Sequence, residues 1–337
     1  HEIDTHVALI ADYASKRDLI AGASDVIEQL FAGGAADTAL DELHNVATNT
    51  QVGGAKLVSS PQGAALAFDW QSAVQGEVLP TGLRDLDEAL SGGLAPGRLY
   101  VVGARPGMGK TVLATNLAVA CSNAGNDVLL KSMEMQATEL WTRMFAQIAA
   151  SPALSLTHLQ RREVVEFENR STKLLETERK AAEMAITIDD SGPATIAGIR
   201  TAIRGMRHRP NIVIVDYLQL MNGPGENRQQ EISRISRDLK QLAMELGIVV
   251  VALSQLSRNL ESRADRRPML ADLRDSGSIE QDADVVMFLY RDEVYNTESI
   301  DIGIVEIQVS KQRNGPTGLV KSAWIPEHAL IADMART

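Results

Sequence analysis

Leu99-Tyr100-Val101-Val102-Gly103-Ala104-Arg105-Pro106-Gly107-Met108-Gly109-Lys110-Thr111 is the stretch from which the rest of the chain can be read. The apolar run Leu99–Val102 leads into a glycine-containing turn, and a helix is predicted to start near Thr111. From Ala104 to Thr111 the spacing is that of a phosphate-binding loop, with Ala104 where the first glycine usually stands and Gly103 just before it. Gly107 and Gly109 let backbone N–H groups wrap a phosphate, and the following helix turns its positive end toward it. Lys110 would reach the β- and γ-phosphates, and the Thr111 hydroxyl would ligate Mg2+. Ala104, Arg105, Pro106, Gly107, Met108, Gly109, Lys110 and Thr111 are therefore the expected nucleotide cradle, with ATP and Mg2+ as its cofactors.

A phosphate loop calls for an acidic residue at the end of a neighbouring buried strand to complete the metal site. Asn211-Ile212-Val213-Ile214-Val215-Asp216 supplies one, so Thr111 and Asp216 form the expected magnesium pair. Hydrolysis also needs a group that orients the attacking water. Glu134, in Ser132-Met133-Glu134-Met135 just past the apolar run Val128–Leu130, is the candidate, and Met133 and Met135 read as core packing.

Beyond Pro80 further apolar runs fall at Ile186–Ile188, Ile212–Val215, Ile248–Leu253, Val285–Leu289 and Ile304–Val309. Several are continuous rather than alternating and are separated by helix-length segments, which predicts an α/β core around a mostly parallel sheet. Arg161–Lys180 reads as a solvated surface helix, as does the basic cluster Arg200, Arg204, Arg207 and Arg209. Before the core, Ile3, Val7, Ile10, Ala14, Ile20, Ala23, Ile27 and Leu30 recur at helical spacing, and a short helix is expected around Asp37–Ala47. A Gly-, Ser-, Asn- and Gln-rich linker spans Thr48–Gly63, and Ala64–Val74, with Leu66, Phe68 and Trp70, reads as a docking helix or as local packing. The expected organisation is a helical remnant over 1–47, a linker over 48–79 and a motor-sized domain over 80–337.

The chain has 337 residues and a formal net charge of −11. Its 45% hydrophobic and 23% charged content suits a folded domain and argues against disorder. The single cysteine, Cys121, excludes an internal disulfide or a cysteine metal cluster and reads as a small buried apolar residue. The histidines show no paired ligand spacing. No apolar run approaches the ~20 residues of a bilayer span, so a soluble, cytoplasmic protein without a membrane partner is expected. A chain starting at His1 reads as a fragment of something longer.

Taken together these segments resemble the C-terminal motor domain of the replicative hexameric DNA helicases, the DnaB family. The resemblance runs from about Pro80 to the C-terminus and rests on Pro80–Leu83, Gly103–Thr111, Ser132–Met135, Asp216–Met221, Ala252–Arg258 and, most specifically, Asp272–Asp284 and Ser310–Gly318. It implies a RecA-like P-loop NTPase core preceded by a helical and linker segment that resembles the join to the family's collar domain. It implies that Glu134 is the catalytic glutamate, Lys110 the phosphate lysine, and Thr111 and Asp216 the magnesium residues. Gln255 would sense the γ-phosphate and relay its loss. Arg313, with Lys311 two residues before it on the same strand face, would act as a finger on the neighbouring subunit's nucleotide. The DNA-binding loop would comprise Arg274, Asp275 and Gly277, where a cation and free N–H groups suit backbone tracking, although Asp275 stands where Glu is expected.

The implied function is an ATP-driven motor, a hexameric ring that translocates on single-stranded DNA with 5′–3′ polarity. A primase and a helicase loader are its implied partners. A RecA-like ATPase of another class, such as a strand-exchange recombinase or a clock-type ATPase, shares the P-loop and the Asp216 strand but leaves Asp272–Asp284 and Ser310–Gly318 unexplained. Acidity disfavours binding nucleic acid through bulk charge. The stretch Arg258–Arg274 is locally basic, with five arginines against Glu261, Asp265 and Asp272, and six weak contacts around one strand can replace net positive charge.

Overall fold

The computed structural model describes residues 78–161, 168–192, 194–225 and 227–335, together with helical residues at 20, 21, 23–27, 30, 31, 39 and 43. At 153, 168–170 and 274–277 the description is of the backbone. The linker, the Ala64–Val74 segment and most of the N-terminal helix lie outside the described residues. Within that helix, Val26 is buried, whereas Ile20, Ile27 and Leu30 of the expected apolar stripe are exposed. The chain divides into two units, residues 1–73 with 196–201, and residues 74–195 with 202–337; the second contains the sheet.

The sheet has nine strands in the order β3-β2-β4-β5-β1-β6-β7-β8-β9. These are β1 (Leu99–Ala104), β2 (Val128–Ser132), β3 (Ile186–Asp189), β4 (Ile212–Asp216), β5 (Val249–Gln255), β6 (Val285–Tyr290), β7 (Ile304–Gln312), β8 (Gly318–Ile325) and β9 (Leu330–Ala332). The first six in that order pair in parallel and the last three antiparallel. β1, β2, β4 and β6 are buried along their whole length, as their mostly apolar sequences require of strands covered on both faces, with Lys131, Ser132 and Asp216 the polar residues at the ends of β2 and β4. β8 and β9 are additions to the sequence reading.

Among the described residues from 78 onward the α-helices are α1 (Arg84–Ala89), α2 (Lys110–Asn123), α3 (Ala137–Ala149), α4 (Leu156–Gln160), α5 (Glu168–Ala182), α6 (Ile196–Gly205), α7 (Arg228–Leu246) and α8 (Gly277–Asp282). α2 is apolar on most sides, burying Val112, Leu113, Leu117, Ala118 and Cys121, and it packs against β1, β2, β4, β5 and β9. α7 is one-sided: Ile232, Ile235, Leu239 and Leu242 form its buried stripe, Asn227 caps its start and Gly247 in the left-handed region ends it. The surface helix expected over Arg161–Lys180 is realised as α5, and it is not fully solvated, because Thr177 and Ala181 are buried. In and after α6, Arg204, Arg207 and Arg209 are exposed while Arg200 is half-buried.

Parallel pairing brings the ends of β1, β2, β4 and β5 to one edge. Ala104 is level with Gln255, and Ser132 with Asp216. In such a sheet the carboxyl edge is where ligands bind.

Candidate active site

The phosphate loop leaves β1 at Ala104 and ends at Gly109, the N-terminal cap of α2, whose φ of 101° lies in the left-handed region. A Cβ at Gly109 would stand 2.7 Å from Trp324 Cζ3, so the loop is pressed against β8. The guanidinium of Arg291 stacks over Trp324, 4.1 Å from its ring centroid, and donates to the Gly107 carbonyl at 3.2 Å. Sequence reasoning missed both braces, since neither residue is near the loop in the chain. Ala104 and Met108 are buried, and Arg105 is bonded to the segment after β5 rather than pointing to solvent.

Thr111 and Asp216, the residues expected to hold magnesium, are brought into contact. Thr111 Oγ1 donates to Asp216 Oδ2 at 2.9 Å, while Asp216 Oδ1 is buried with no hydrogen-bond partner. An orphaned carboxylate oxygen beside a hydroxyl fits a hard cation such as Mg2+, which takes few protein ligands and completes its shell with water and phosphate. Among the described residues there is no group of three or more His, Cys, Asp or Glu that could hold a metal by itself. Burial raises the Asp216 carboxyl above its ordinary value, opposed by the Thr111 hydrogen bond and then by the charge of Lys110. Burial lowers the Lys110 amine, opposed by Asp216 and Glu134. Lys110 Nζ lies over the Tyr217 ring, 4.8 Å from its centroid. Arg143 on α3 is a further cation felt by Asp216 that the sequence reading did not single out.

Glu134 follows β2 in a turn that Ser132 fixes: its Oγ donates to the Met135 carbonyl at 2.7 Å and accepts from the Met135 N–H. The Met133 N–H donates to the Asp216 carbonyl at 2.9 Å, which holds this turn against the end of β4. The Glu134 side chain is exposed, and its charge acts on both Lys110 and Asp216. Gln255 ends β5, and the Gln219 amide holds its backbone on both sides, donating to Gln255 O and accepting from Gln255 N, each at 3.1 Å. Gln219 was missed because only the fold shows what it faces.

Lys311 and Arg313 are not brought into this cluster. β7 ends at Gln312, so Arg313 lies in the following turn rather than on the strand face with Lys311. Lys311 Nζ donates to the carbonyls of Glu280 and Ala283, and Arg313 Nη2 to that of Gln281 at 2.6 Å, so both cations sit at the C-terminal end of α8. Arg274 and Asp275 lie in the 3-10 turn Leu270–Ser276, and Gly277 is the first residue of α8. Cys121 is fully buried, and burial pushes its thiol up to about 12.

Among the described residues no helix is long and apolar enough to cross a membrane. Residues 78–333 match the family model of the DnaB-like helicase C-terminal domain. The chain is 42% identical to the replicative DNA helicase DnaB of Geobacillus stearothermophilus, over 77% of this chain and 58% of that protein. It is 45% identical to the same-named protein of Haemophilus influenzae, over 72% of this chain and 52% of that one. The chain thus spans little more than half the length of these relatives. A solved DnaB-like replicative helicase, described with its interactions with primase, superposes with a TM-score of 0.79 at 31% identity, covering 98% of this chain and 79% of that one. With its RecA-like sheet, its phosphate loop and this match over most of its length, the chain belongs to the DnaB-like helicase C-terminal domain family.

Proposed function

We propose that the chain is the ATP-hydrolysing motor of a replicative DNA helicase, assembling as a hexameric ring with nucleotide at each subunit interface and moving 5′–3′ on single-stranded DNA in the cytoplasm. The observation that carries the proposal is the convergence of Lys110, Thr111, Asp216 and Glu134 at one sheet edge, with the Asp216 Oδ1 left unpartnered.

The backbone N–H groups of Gly107–Lys110 and the start of α2 hold the β- and γ-phosphates, and Lys110 adds a cation in a site dry enough to strengthen it. Thr111 and Asp216 would hold Mg2+, which would supply charge neutralisation at the phosphates. Glu134 accepts a proton from the attacking water. The water oxygen forms a bond to the γ-phosphorus as the bond to the bridging β–γ oxygen breaks, and ADP leaves with that electron pair. Gln255, held by Gln219, is positioned to respond to loss of the γ-phosphate. Arg313 and Lys311, spent on α8 within their own chain, are read as cations for a neighbour's nucleotide. Arg274, Asp275 and Gly277 are read as the strand-tracking segment. A primase and a helicase loader are its proposed further partners; the primase is named alongside the matched helicase structure.

The test is ATP turnover by Glu134→Gln, which keeps size and removes the base. A loss of about a hundredfold or more is expected, with nucleotide binding retained. Unchanged turnover contradicts the assignment.

A further inference from the structure

Arg105 stands inside the phosphate loop, yet its guanidinium is spent on the segment that follows β5. Its side chain is 8% exposed. Nη1 donates to the Leu256 carbonyl at 2.8 Å, and Nε and Nη2 both donate to Glu261 Oε1, at 2.9 and 2.7 Å. Only the planar fork of an arginine can make these three bonds at once; a lysine cannot. The segment it grips is also tied to β1, since the Leu256 N–H donates to the Ala104 carbonyl at 3.2 Å.

From there a chain of polar contacts continues toward Arg274. The Ser257 N–H donates to the Asp272 carbonyl at 3.2 Å. Arg263 Nη2 donates to Asp272 Oδ2 at 2.7 Å, and the same oxygen accepts from the Met269 N–H at 2.9 Å. Asp272 is buried and lies two residues before Arg274. A cavity of about 400 Å³, lined by Arg105, Gln255, Arg258 and Asp272 among others, lies beside this path.

We propose that the Arg105–Glu261 pair is a positioning element that couples the state of the phosphate loop to the segment Arg274–Gly277, beside the route through Gln255. The inference rests on the reading of the chain as a DNA-stimulated ATPase. Glu261 is 45% exposed, and among the described residues the hydrogen bonds of its side chain go to Arg105 rather than to Thr111, Asp216 or Glu134. Without its carboxylate Arg105 keeps the Leu256 carbonyl but becomes a partly unpaired buried charge, and the branch that breaks is the one running from Glu261 along the chain to Arg263 and Asp272.

The test uses the full chain with oligo(dT) as the probe. ATP hydrolysis with saturating oligo(dT), divided by the rate without it, is measured for wild type, Glu261→Gln and Glu261→Asp, with the KM for ATP and a melting curve for each. Glu261→Gln is expected to keep its basal rate and KM, and to melt only a few degrees lower, while its stimulation ratio falls about fivefold or more. Glu261→Asp, which retains the carboxylate, is expected to recover most of that ratio. A Glu261→Gln protein stimulated like wild type overturns the proposal, and so does one whose basal rate falls while its ratio holds. A wild type that oligo(dT) fails to stimulate overturns the underlying reading, and the proposal with it.

Discussion

Asp216 is a buried carboxylate whose pKa burial raises above the ordinary 3.8. The folded protein therefore keeps a proton that the unfolded chain has already released in that interval. Without metal, stability falls as pH rises from the ordinary aspartate value through the raised one, and above it the whole cost is present. Asp216→Asn removes the charge but keeps an acceptor for Thr111. It is expected to raise the metal-free melting temperature at neutral pH by about 2 °C, corresponding to ~1 kcal/mol, while ATP hydrolysis is lost. A lowered melting temperature would show that the orphaned oxygen carries no such cost. Gly109→Ala meets both a positive φ and Trp324, and is expected to cost about 1–3 kcal/mol in a denaturant titration. Trp324→Ala added to it should restore only part, because the backbone strain remains. Cys121 should resist a thiol reagent at mildly alkaline pH until the protein unfolds, as its burial and its value of about 12 require.

At the scale of elements, the segment between β5 and α8 is held to the sheet by Arg267, which gives both Glu306 oxygens a hydrogen bond, at 2.8 and 2.9 Å. Glu306 is 4% exposed, so removing its partner strands a buried charge. Arg267 is itself half in solvent, which screens the pair. Arg267→Ala is expected to cost about 2 kcal/mol and Glu306→Gln less, because the second change removes the buried charge as well. Equal losses in chemical denaturation would contradict this. The strands that build the sheet interior were legible because burial on both faces leaves an unbroken apolar run, as in Ile212–Val215. β8 was not, since Gly318–Ile325 is an outer strand of mixed polarity with Lys321 and Ser322 in it, and β9 is too short to leave a pattern. The strand–loop–helix of the phosphate loop and the strand-end position of Asp216 were legible because that chemistry fixes residue type and spacing, whereas Glu134 stood out only as a candidate past β2. Trp324, Arg291, Gln219 and the partners of Arg105 were not, because their roles arise only when distant strands meet.

For the whole molecule the net charge of −11 is the constraint to reconcile with the proposed DNA binding. A ring that encloses one strand presents each local cation several times, and the rest of the surface can stay acidic. Binding should then weaken steeply with salt and show little preference among single strands of similar flexibility. The proposed finger role bears on assembly in the same way: within one chain Lys311 and Arg313 rest on the α8 carbonyls, away from that chain's own phosphate loop. The direct test is ATP hydrolysis per subunit as a function of protein concentration, with and without single-stranded DNA, for wild type and Arg313→Ala, with size analysis alongside. An interface-catalysed motor predicts a rate that rises with assembly, responds to DNA and falls at least about a thousandfold in Arg313→Ala. Full hydrolysis by monomers, indifferent to DNA and to Arg313, would contradict it.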